Sequence, residues 1–288
     1  MDDLQRYLFD RQGFLRIPGI LSPDEVATLA AAVDRLHDRV ERGFDSWPER
    51  RGWRKCVGRF DAESGVYVYG KTGYGNTWVI EDMWNADPAF LLLLGHAPTL
   101  DIVSATVRGR VNVNNSEVRV RFPGNSTGAH MGGPIDGKYA YRYDHRGFDC
   151  MMTRMIYFLH DVGPDDGPFS VVPGTHKSAF PPPSSPRPED EPGAVAVTAR
   201  AGDGVYFTEA LRHGGFENRS ARPRRTIHVG YGPAWMRAQL VGTMDEPQFI
   251  LPRTWDSMRP DQQALFSPWP EELRPAKASG RALSLMAG

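Results

Sequence analysis

Two histidines that are far apart in the chain each follow a short segment predicted to be a β-strand. His130 comes after a turn rich in glycine and polar residues, and His213 comes after an apolar run at residues 204–208. Neutral imidazoles suit iron(II), and a facial set of two histidines and one carboxylate leaves coordination positions open for a cosubstrate and oxygen. Strand-end histidines can converge at one mouth of a jelly roll, although either one can equally be an ordinary surface or core residue. We therefore predict that His130 and His213 bind iron(II), with that alternative open.

A second chemically suggestive residue is Arg224, which lies eleven residues after His213 at the start of a predicted strand. A planar guanidinium can form a bidentate salt bridge with a carboxylate, which lysine would do with less geometric definition. Arg224 could in this way hold the distal carboxylate of a 2-oxo acid that chelates the metal. The alternative is that Arg222, Arg224 and Arg225 form a solvated basic cluster.

The composition is that of an ordinary globular protein. The chain has 288 residues, of which 40% are hydrophobic and 24% charged, enough for one large domain with a substantial core. Because 34 Lys and Arg nearly balance 35 Asp and Glu, the predicted partner is a small molecule, not nucleic acid or a membrane. Two cysteines, a charged N-terminus and only short apolar runs predict a cytoplasmic protein. The oligomeric state stays open.

Hydrophobic periodicity predicts an α+β fold. Ser22, Pro23 and Glu25 form a helix-start signature, and apolar residues at helical spacing continue to Val40. From Val111 onward, short apolar runs separated by turn residues predict strands at residues 118–122, 152–159, 169–172, 194–198, 205–208 and 226–231. Many short strands of this kind favour a barrel or jelly roll.

The same patterns predict how the chain is organised. We expect a single domain over residues 1–288, with N-terminal helices and a lid in about 1–110, a β-helix core in about 111–235 and a tail in 236–288. The proline-rich segment 180–193 is predicted to be a surface loop. The tail is expected to pack on the barrel through Trp255, Phe266 and Trp269.

Three segments, in this order, resemble the phytanoyl-CoA dioxygenase-like branch of iron(II)/2-oxoglutarate enzymes. They are FDRQGFLRIPGILSPDEVATL, PDDGPFSVVPGTHKS and GDGVYFTEALRHGGFENRSARPRRT, within roughly residues 5 to 235. The resemblance implies a double-stranded β-helix (jelly roll, cupin-like), a proximal His-x-Asp motif, a distal histidine and an arginine that binds 2-oxoglutarate. It assigns the metal to His130 and His213, the cosubstrate to Arg224, and a structural role in a family turn to His176.

The proximal motif departs from the family pattern, because it reads His130, Met131, Gly132. Glycine cannot ligate iron, so the position must be filled by water, an anion or a carboxylate from elsewhere, for instance Asp136. His-x-Gly resembles the motif of iron(II)/2-oxoglutarate halogenases, in which the vacated position takes chloride. We therefore expect a halogenase that uses Fe(II), 2-oxoglutarate, O2 and chloride, with Gly132 at an open halide position. The alternatives are a hydroxylase of the same family and a non-catalytic ligand-binding jelly roll.

Other polar residues on predicted strands are weaker candidates. Arg121 and Thr153 are expected to contact the cosubstrate, and Asn114 and Glu209 the substrate; Asn112, Arg119 and Arg154 are comparable. An exposed polar strand face is the competing interpretation.

The segment between Trp47 and Trp84 is rich in aromatic and basic residues. It could form a lid that stacks an aromatic substrate and neutralises a phosphate through Arg59, Lys55 or Lys71. A mobile surface loop is the alternative. The lid hypothesis leads us to expect a nucleotide as substrate, as in the carrier-free nucleotide chlorination of nucleoside-antibiotic biosynthesis that the resembled halogenase group includes.

Overall fold

The computed structural model describes residues 1–51, 57–70, 77–134, 139–183, 185–236 and 248–266. In these ranges the α-helices are α1 Asp3–Gln12, α2 Pro23–Gly43, α3 Ala97–Thr106, α4 Pro252–Ser257 and α5 Pro260–Ala264. Short 3-10 helices lie at Phe44–Ser46, Met83–Asn85, Pro88–Leu93, Thr175–Lys177 and Pro188–Asp190.

Helix α2 forms where the sequence predicts it. Ser22 is the N-cap residue: its hydroxyl accepts from the backbone N–H of Glu25, and its own N–H donates to the Glu25 carboxylate (2.8 Å). This reciprocal capping box satisfies two of the donors that a helix start leaves free. One face of the helix is buried and carries Leu29, Ala32, Val33, Leu36 and Val40.

The strands form three sheets in the described part of the chain. They are β1 Phe14–Ile17, β2 Glu49–Arg51, β3 Val57–Asp61, β4 Val66–Tyr69, β5 Trp78–Glu81, β6 Val111–Arg121, β7 Thr127–His130, β8 Tyr141–Asp144, β9 Gly147–Cys150, β10 Thr153–Phe158, β11 Phe169–Val172, β12 Val195–Val197, β13 Gly204–Thr208, β14 Arg212–Gly215 and β15 Arg224–Pro233. The large sheet has the order β1-β13-β10-β15-β6-β5-β4-β3-β2, the small sheet has the order β12-β11-β14-β7, and β8 pairs with β9. The strand pairs between these elements are antiparallel.

The two larger sheets are the two layers of the predicted jelly roll. Strand β10 is buried along its whole length, so its alternate side chains face two different cores. Ile156 and Phe158 point between the sheets, where they pack with Phe169 and Val171 of the small sheet. The opposite face of the large sheet packs with the N-terminal helices, including Leu29.

The described part of the segment between Trp47 and Trp84 is mostly sheet, and its predicted role as a lid stays a prediction. Strands β2 to β5 extend the large sheet beyond β6, and Tyr67, Val68 and Ile80 are buried. Apolar residues on both faces hold these strands in the core, which is not the arrangement of a mobile surface loop. Residues 52–56 and 71–76, with Lys55 and Lys71, lie outside the described residues.

The C-terminal part packs as expected where it is described. Trp255 and Phe266 are partly buried against the main core, and the Trp84 indole donates to the side-chain oxygen of Gln248 (2.8 Å). Trp269 lies outside the described residues. Within those residues, the structure has no helix long and apolar enough to cross a membrane.

Candidate active site

His130 and His213 are brought together by the small sheet. His213 on β14 is the direct antiparallel partner of His130 on β7, and their ring centroids are 4.2 Å apart. The two histidines differ in their exposure to solvent. His213 is 7% exposed and packs against the rings of Phe169 and Phe207, whereas His130 lies at the surface. The pair is therefore packed against the core on the His213 side and accessible to solvent on the His130 side.

Backbone carbonyls set the same tautomer in both imidazoles. The Nδ1–H of His130 donates to the carbonyl of Gly128 (3.0 Å), and the Nδ1–H of His213 donates to the carbonyl of Leu211 (2.7 Å). Because a carbonyl can only accept, Nε2 of each neutral ring carries the lone pair. Burial lowers the pKa of His213 to about 3, helped by the neighbouring His130. Two neutral imidazoles with oriented Nε2 atoms are the form that binds a metal.

Arg224 is directly opposite another buried arginine, Arg121, on the neighbouring strand β6. The Nη1 atoms of both guanidinium groups donate to the carbonyl of Gly167, at 2.9 Å from Arg224 and 3.2 Å from Arg121. Neither arginine forms a salt bridge with a carboxylate of the described residues, and the buried Nε of each has no hydrogen-bond partner there. Two adjacent buried cations of this kind are suited to binding an anion.

The two arginines have different local roles. Arg121 also donates to Thr127 Oγ1 (2.5 Å) and to the carbonyl of Phe216 (2.9 Å), so it ties β6 to β7 and to the end of β14. Gly215 makes this possible, because a Cβ there would lie 2.6 Å from the Arg121 Cζ atom. Burial lowers the pKa of Arg224 to about 9, with a further contribution from Arg119. Arg224, with fewer protein partners, is the better anchor for a ligand carboxylate.

A buried network of charged residues on the large sheet lies next to the two histidines. Arg154 donates from Nε to Glu209 Oε1 (2.5 Å) and from Nη1 to Glu117 Oε1 (3.1 Å). Arg119 also donates to Glu117 (2.5 Å). Burial opposes ionisation, but the charges of Arg119 and Arg154 prevail and lower the pKa of Glu117 to about 2. For the same reason the pKa of Glu209 is lowered, with Arg154 as the largest favourable influence.

Gly132 is required by the backbone at its position. Its φ is +82°, and a Cβ there would lie 2.9 Å from the Arg212 Cα and 3.0 Å from its N, and closer still to its Cβ. Arg212 is fixed in turn, because it donates to the carbonyl of Met131 (3.1 Å) and pairs with Glu191. A side chain at position 132 would collide with β14, which gives the glycine a structural reason independent of any halide.

Several residues predicted from the sequence do not contact the histidine pair. Thr153 lies on the opposite face of β10 from Arg154, and its hydroxyl is 3.5 Å from the carbonyl of Tyr231, so the predicted cosubstrate contact is not supported. Arg59 donates to the carbonyl of Trp47 (2.6 Å) and lies over the Phe44 ring, which occupies the group expected to bind phosphate. Lys71 and Asp136 lie outside the described residues.

A β-bulge explains which residues of β6 face the site. The register between β15 and β6 shifts at Gly230, which pairs with Asn115, while Tyr231 pairs with Val113. Asn114 is the extra residue: it is fully buried, and its side-chain amide contacts Met236 Sδ (3.8 Å). Beyond the bulge the inward-facing residues are Asn115, Glu117, Arg119 and Arg121.

Sequence reasoning missed two buried polar residues of this interior, Glu117 and His228. His228 lies on β15 opposite Glu117, and its Nε2 is 3.0 Å from Thr226 Oγ1. Burial and the surrounding arginines hold the pKa of His228 well below its usual range. The alternation of polar and apolar residues from Asn115 to Arg121 was the available signal. His176, by contrast, is buried away from the pair, and its Nε2–H donates to the carbonyl of Asp10 (3.0 Å).

The two-sheet jelly roll with helices on one face is shared with several solved structures. HygX from Streptomyces hygroscopicus, solved with nickel, 2-oxoglutarate and hygromycin B, is similar with a TM-score of 0.65 and 21% identity; 87% of this chain and 96% of HygX are covered. AviO1 from Streptomyces viridochromogenes Tue57 has a TM-score of 0.55 and 22% identity, with 80% and 93% covered. The α-ketoglutarate-dependent epimerase SnoN from nogalamycin biosynthesis has a TM-score of 0.54 and 19% identity, with 81% and 80% covered. At these identities the likeness shows a shared fold.

The family comparison concerns the central part of the chain. Residues 127–226 match the family model described as Phytanoyl-CoA dioxygenase (PhyH). The matched segment contains His130, His213 and Arg224. No curated protein sequence matches the chain significantly. The fold comparison therefore shows a shared jelly roll, and the family model matches the segment that carries the histidine pair and Arg224.

Proposed function

We propose that this protein is a non-haem iron(II), 2-oxoglutarate-dependent oxidoreductase that acts on a C–H bond of a small molecule. The observation that carries the proposal is the cross-strand pair of His130 and His213, whose Nδ1–H groups are both held by backbone carbonyls. Arg224 adds a buried guanidinium without a carboxylate partner among the described residues. The residues fit the two groups, a divalent metal and a dicarboxylate, that such an enzyme requires.

Each residue has a defined task in this proposal. His130 and His213 hold the metal through Nε2, and Arg224 pairs with the distal carboxylate of 2-oxoglutarate. When bound with 2-oxoglutarate and O2, iron supplies the oxidising power for C–H attack, with succinate and carbon dioxide as coproducts. Phe169 and Phe207 exclude water from the inner side of His213, and Arg121 keeps the two sheets at a fixed spacing.

The substrate is proposed to be a polar small molecule of antibiotic or related biosynthesis. The interior beside the histidines carries Glu117, Arg119 and Arg154, which suit hydrogen-bonding groups. Neighbours of the same fold include a HygX complex with hygromycin B and enzymes of nogalamycin biosynthesis. A nucleotide belongs to the same broad class, but Arg59, expected to bind its phosphate, is engaged with Trp47 and Phe44.

Chlorination is the second candidate function, and it is favoured by one feature, the absence of a carboxylate at Gly132. It requires the third coordination position to stay open for chloride. The collision of a Cβ at position 132 with Arg212 gives that glycine a second explanation, so we place oxidation without halide first.

Anaerobic absorption spectroscopy tests the proposal. Metal-free protein with Fe(II) and 2-oxoglutarate should develop the visible charge-transfer band of the chelate, and exposure to O2 should then yield succinate even without substrate. Absence of both the band and succinate would reject the oxidoreductase proposal. A band that moves on chloride addition would favour chlorination, and an unmoved band in the presence of a turned-over substrate would exclude it.

A further inference from the structure

We propose that Glu209 supplies the carboxylate that completes the metal site of His130 and His213. The inference rests on the proposed function, and it concerns the ligand that the His130, Met131, Gly132 motif lacks. Glu209 would bind through Oε2 while Oε1 stays on Arg154. The site would then contain two histidines and one carboxylate, but with the carboxylate on the distal side of the sequence.

Glu209 and His213 are presented by the same turn. Glu209 is the first residue after β13, where its N–H donates to the carbonyl of Met152 (3.0 Å). The Leu211 N–H donates to the carbonyl of Thr208 (2.9 Å), which closes the turn that leads into β14. The position of Glu209 relative to His213 is therefore set by backbone hydrogen bonds, as a metal site needs.

The carboxylate points at the nitrogen that is available for metal. Glu209 Oε2 lies 3.7 Å from His213 Nε2, and both side chains are 8% exposed. Nδ1 of His213 is already committed to Leu211, so Nε2 is the nitrogen that Glu209 approaches. In the described residues, no other carboxylate lies within 4.0 Å of His130 or His213.

The orientation of the Glu209 side chain also fits a ligand. Arg154 donates from Nε to Glu209 Oε1 at 2.5 Å, which fixes one carboxylate oxygen. Arg154 donates to Oε1 and not to Oε2, so Oε1 anchors the side chain while Oε2 faces His213. An oriented carboxylate with one anchored oxygen resembles the hydrogen-bonded ligands found in metal sites.

Gly132 and Glu209 are complementary in this inference. A ligand side chain at position 132 would collide with the backbone of Arg212, so the proximal motif cannot supply the carboxylate without a shift of β14. The described residues contain no preformed group of three His, Cys, Asp or Glu at metal-binding distances. In this inference the Glu209 side chain closes toward the histidines when the metal binds, and Arg154 holds Oε1 while Oε2 faces His213.

The test compares Glu209→Gln with Glu117→Gln, because both carboxylates accept from Arg154 but only Glu209 approaches a histidine. Metal-free proteins are titrated with Co(II) alone by calorimetry, and the visible spectrum of bound Co(II) is recorded. We expect Glu209→Gln to weaken Co(II) binding by roughly 100-fold or more and to change the spectrum, since losing an outer partner alone costs about 10- to 100-fold. Glu117→Gln should leave the spectrum unchanged.

A rescue experiment separates a ligand from a residue that only positions His213. In Glu209→Ala, added formate should restore the wild-type Co(II) spectrum if an exogenous carboxylate can take the vacant place. Unchanged spectrum and affinity in Glu209→Gln, while His130→Ala loses Co(II), would overturn the inference but leave the proposed function standing. In that case Asp136→Asn would identify the other source. Failure of the wild-type protein to bind Co(II) would instead reject the proposed function.

Discussion

His130 and His213 face each other across β7 and β14 with their ring centroids 4.2 Å apart, although they are far apart in the chain. Their Nδ1–H groups donate in the same way to the carbonyls of Gly128 and Leu211. The same hydrogen-bond pattern occurs at two places far apart in the sequence, and it leaves both Nε2 atoms available to bind one metal ion.

Replacing either histidine by alanine should abolish binding of one equivalent of Co(II) or Fe(II). One imidazole cannot hold the metal at the site, because removing a ligand costs more than the 10- to 100-fold lost with an outer-shell partner. Calorimetric titration of the metal-free variants measures this. His145→Ala is the matched control, because His145 is exposed in the turn between β8 and β9; equal binding by His213→Ala and His145→Ala would contradict the assignment.

Arg224→Ala should raise the 2-oxoglutarate concentration needed for half-maximal succinate formation by about 10- to 100-fold. A hydrogen bond to a charged group contributes about 1.5–3 kcal/mol, which corresponds to that range. Arg222→Ala is the control, since Arg222 is exposed and belongs to the same arginine cluster. If Arg222→Ala raises the required 2-oxoglutarate concentration and Arg224→Ala does not, Arg222 binds the carboxylate and the assignment of Arg224 is wrong.

Gly132→Ala should lower the thermal unfolding midpoint more than Gly124→Ala does. Both glycines have a positive φ, +82° and +80°, so both substitutions cost about 1–2 kcal/mol of backbone energy. Only Gly132 has Arg212 in the path of a Cβ, whereas nothing lies within 4 Å at Gly124. Overpacking should add roughly 1–3 kcal/mol at Gly132. Equal midpoints for the two variants would remove the structural explanation of the glycine and strengthen chlorination.

The metal-free protein should lose stability as the pH falls from 7.5 to 5.0, and His176 should contribute to that loss. Burial lowers the pKa of His176 to about 4 from an ordinary value of 6.5. In this pH range the unfolded chain binds a proton that the folded chain does not, so His176 contributes about 2 kcal/mol to the loss. Denaturant unfolding of His176→Asn should show a smaller difference between the two pH values than wild type does. An identical difference would mean that His176 is not held neutral.

Local sequence patterns predicted several elements and singled out the two histidines that the fold brings together. The capping box at Ser22 and the apolar spacing up to Val40 predicted α2, because helix starts and helix faces depend on neighbouring residues. The predicted strand at residues 169–172 coincides with β11. His130, His213 and Arg224 were found through motif order, which a chain carries regardless of how it is folded.

Local patterns could not predict which face of a strand is buried, how neighbouring strands are registered, or which side chains come into contact. Asn114 and Arg121 were both predicted to contact a ligand, but the bulge opposite Gly230 determines which residues of β6 turn inward. Thr153 and Arg154 are sequence neighbours with opposite directions, and their different surroundings depend on which sheet covers each face.

The sequence by itself determined the types and order of the chemical groups: two strand-end histidines, a later arginine and no carboxylate at Gly132. The tertiary structure decided what surrounds them, because contacts between β14, β7 and the turn after β13 join residues that no local pattern relates. It set Arg212 against Gly132 and turned the Glu209 carboxylate toward His213. Side-chain chemistry is local to the residue, whereas the space and the partners available to it depend on chain segments that meet only in the fold.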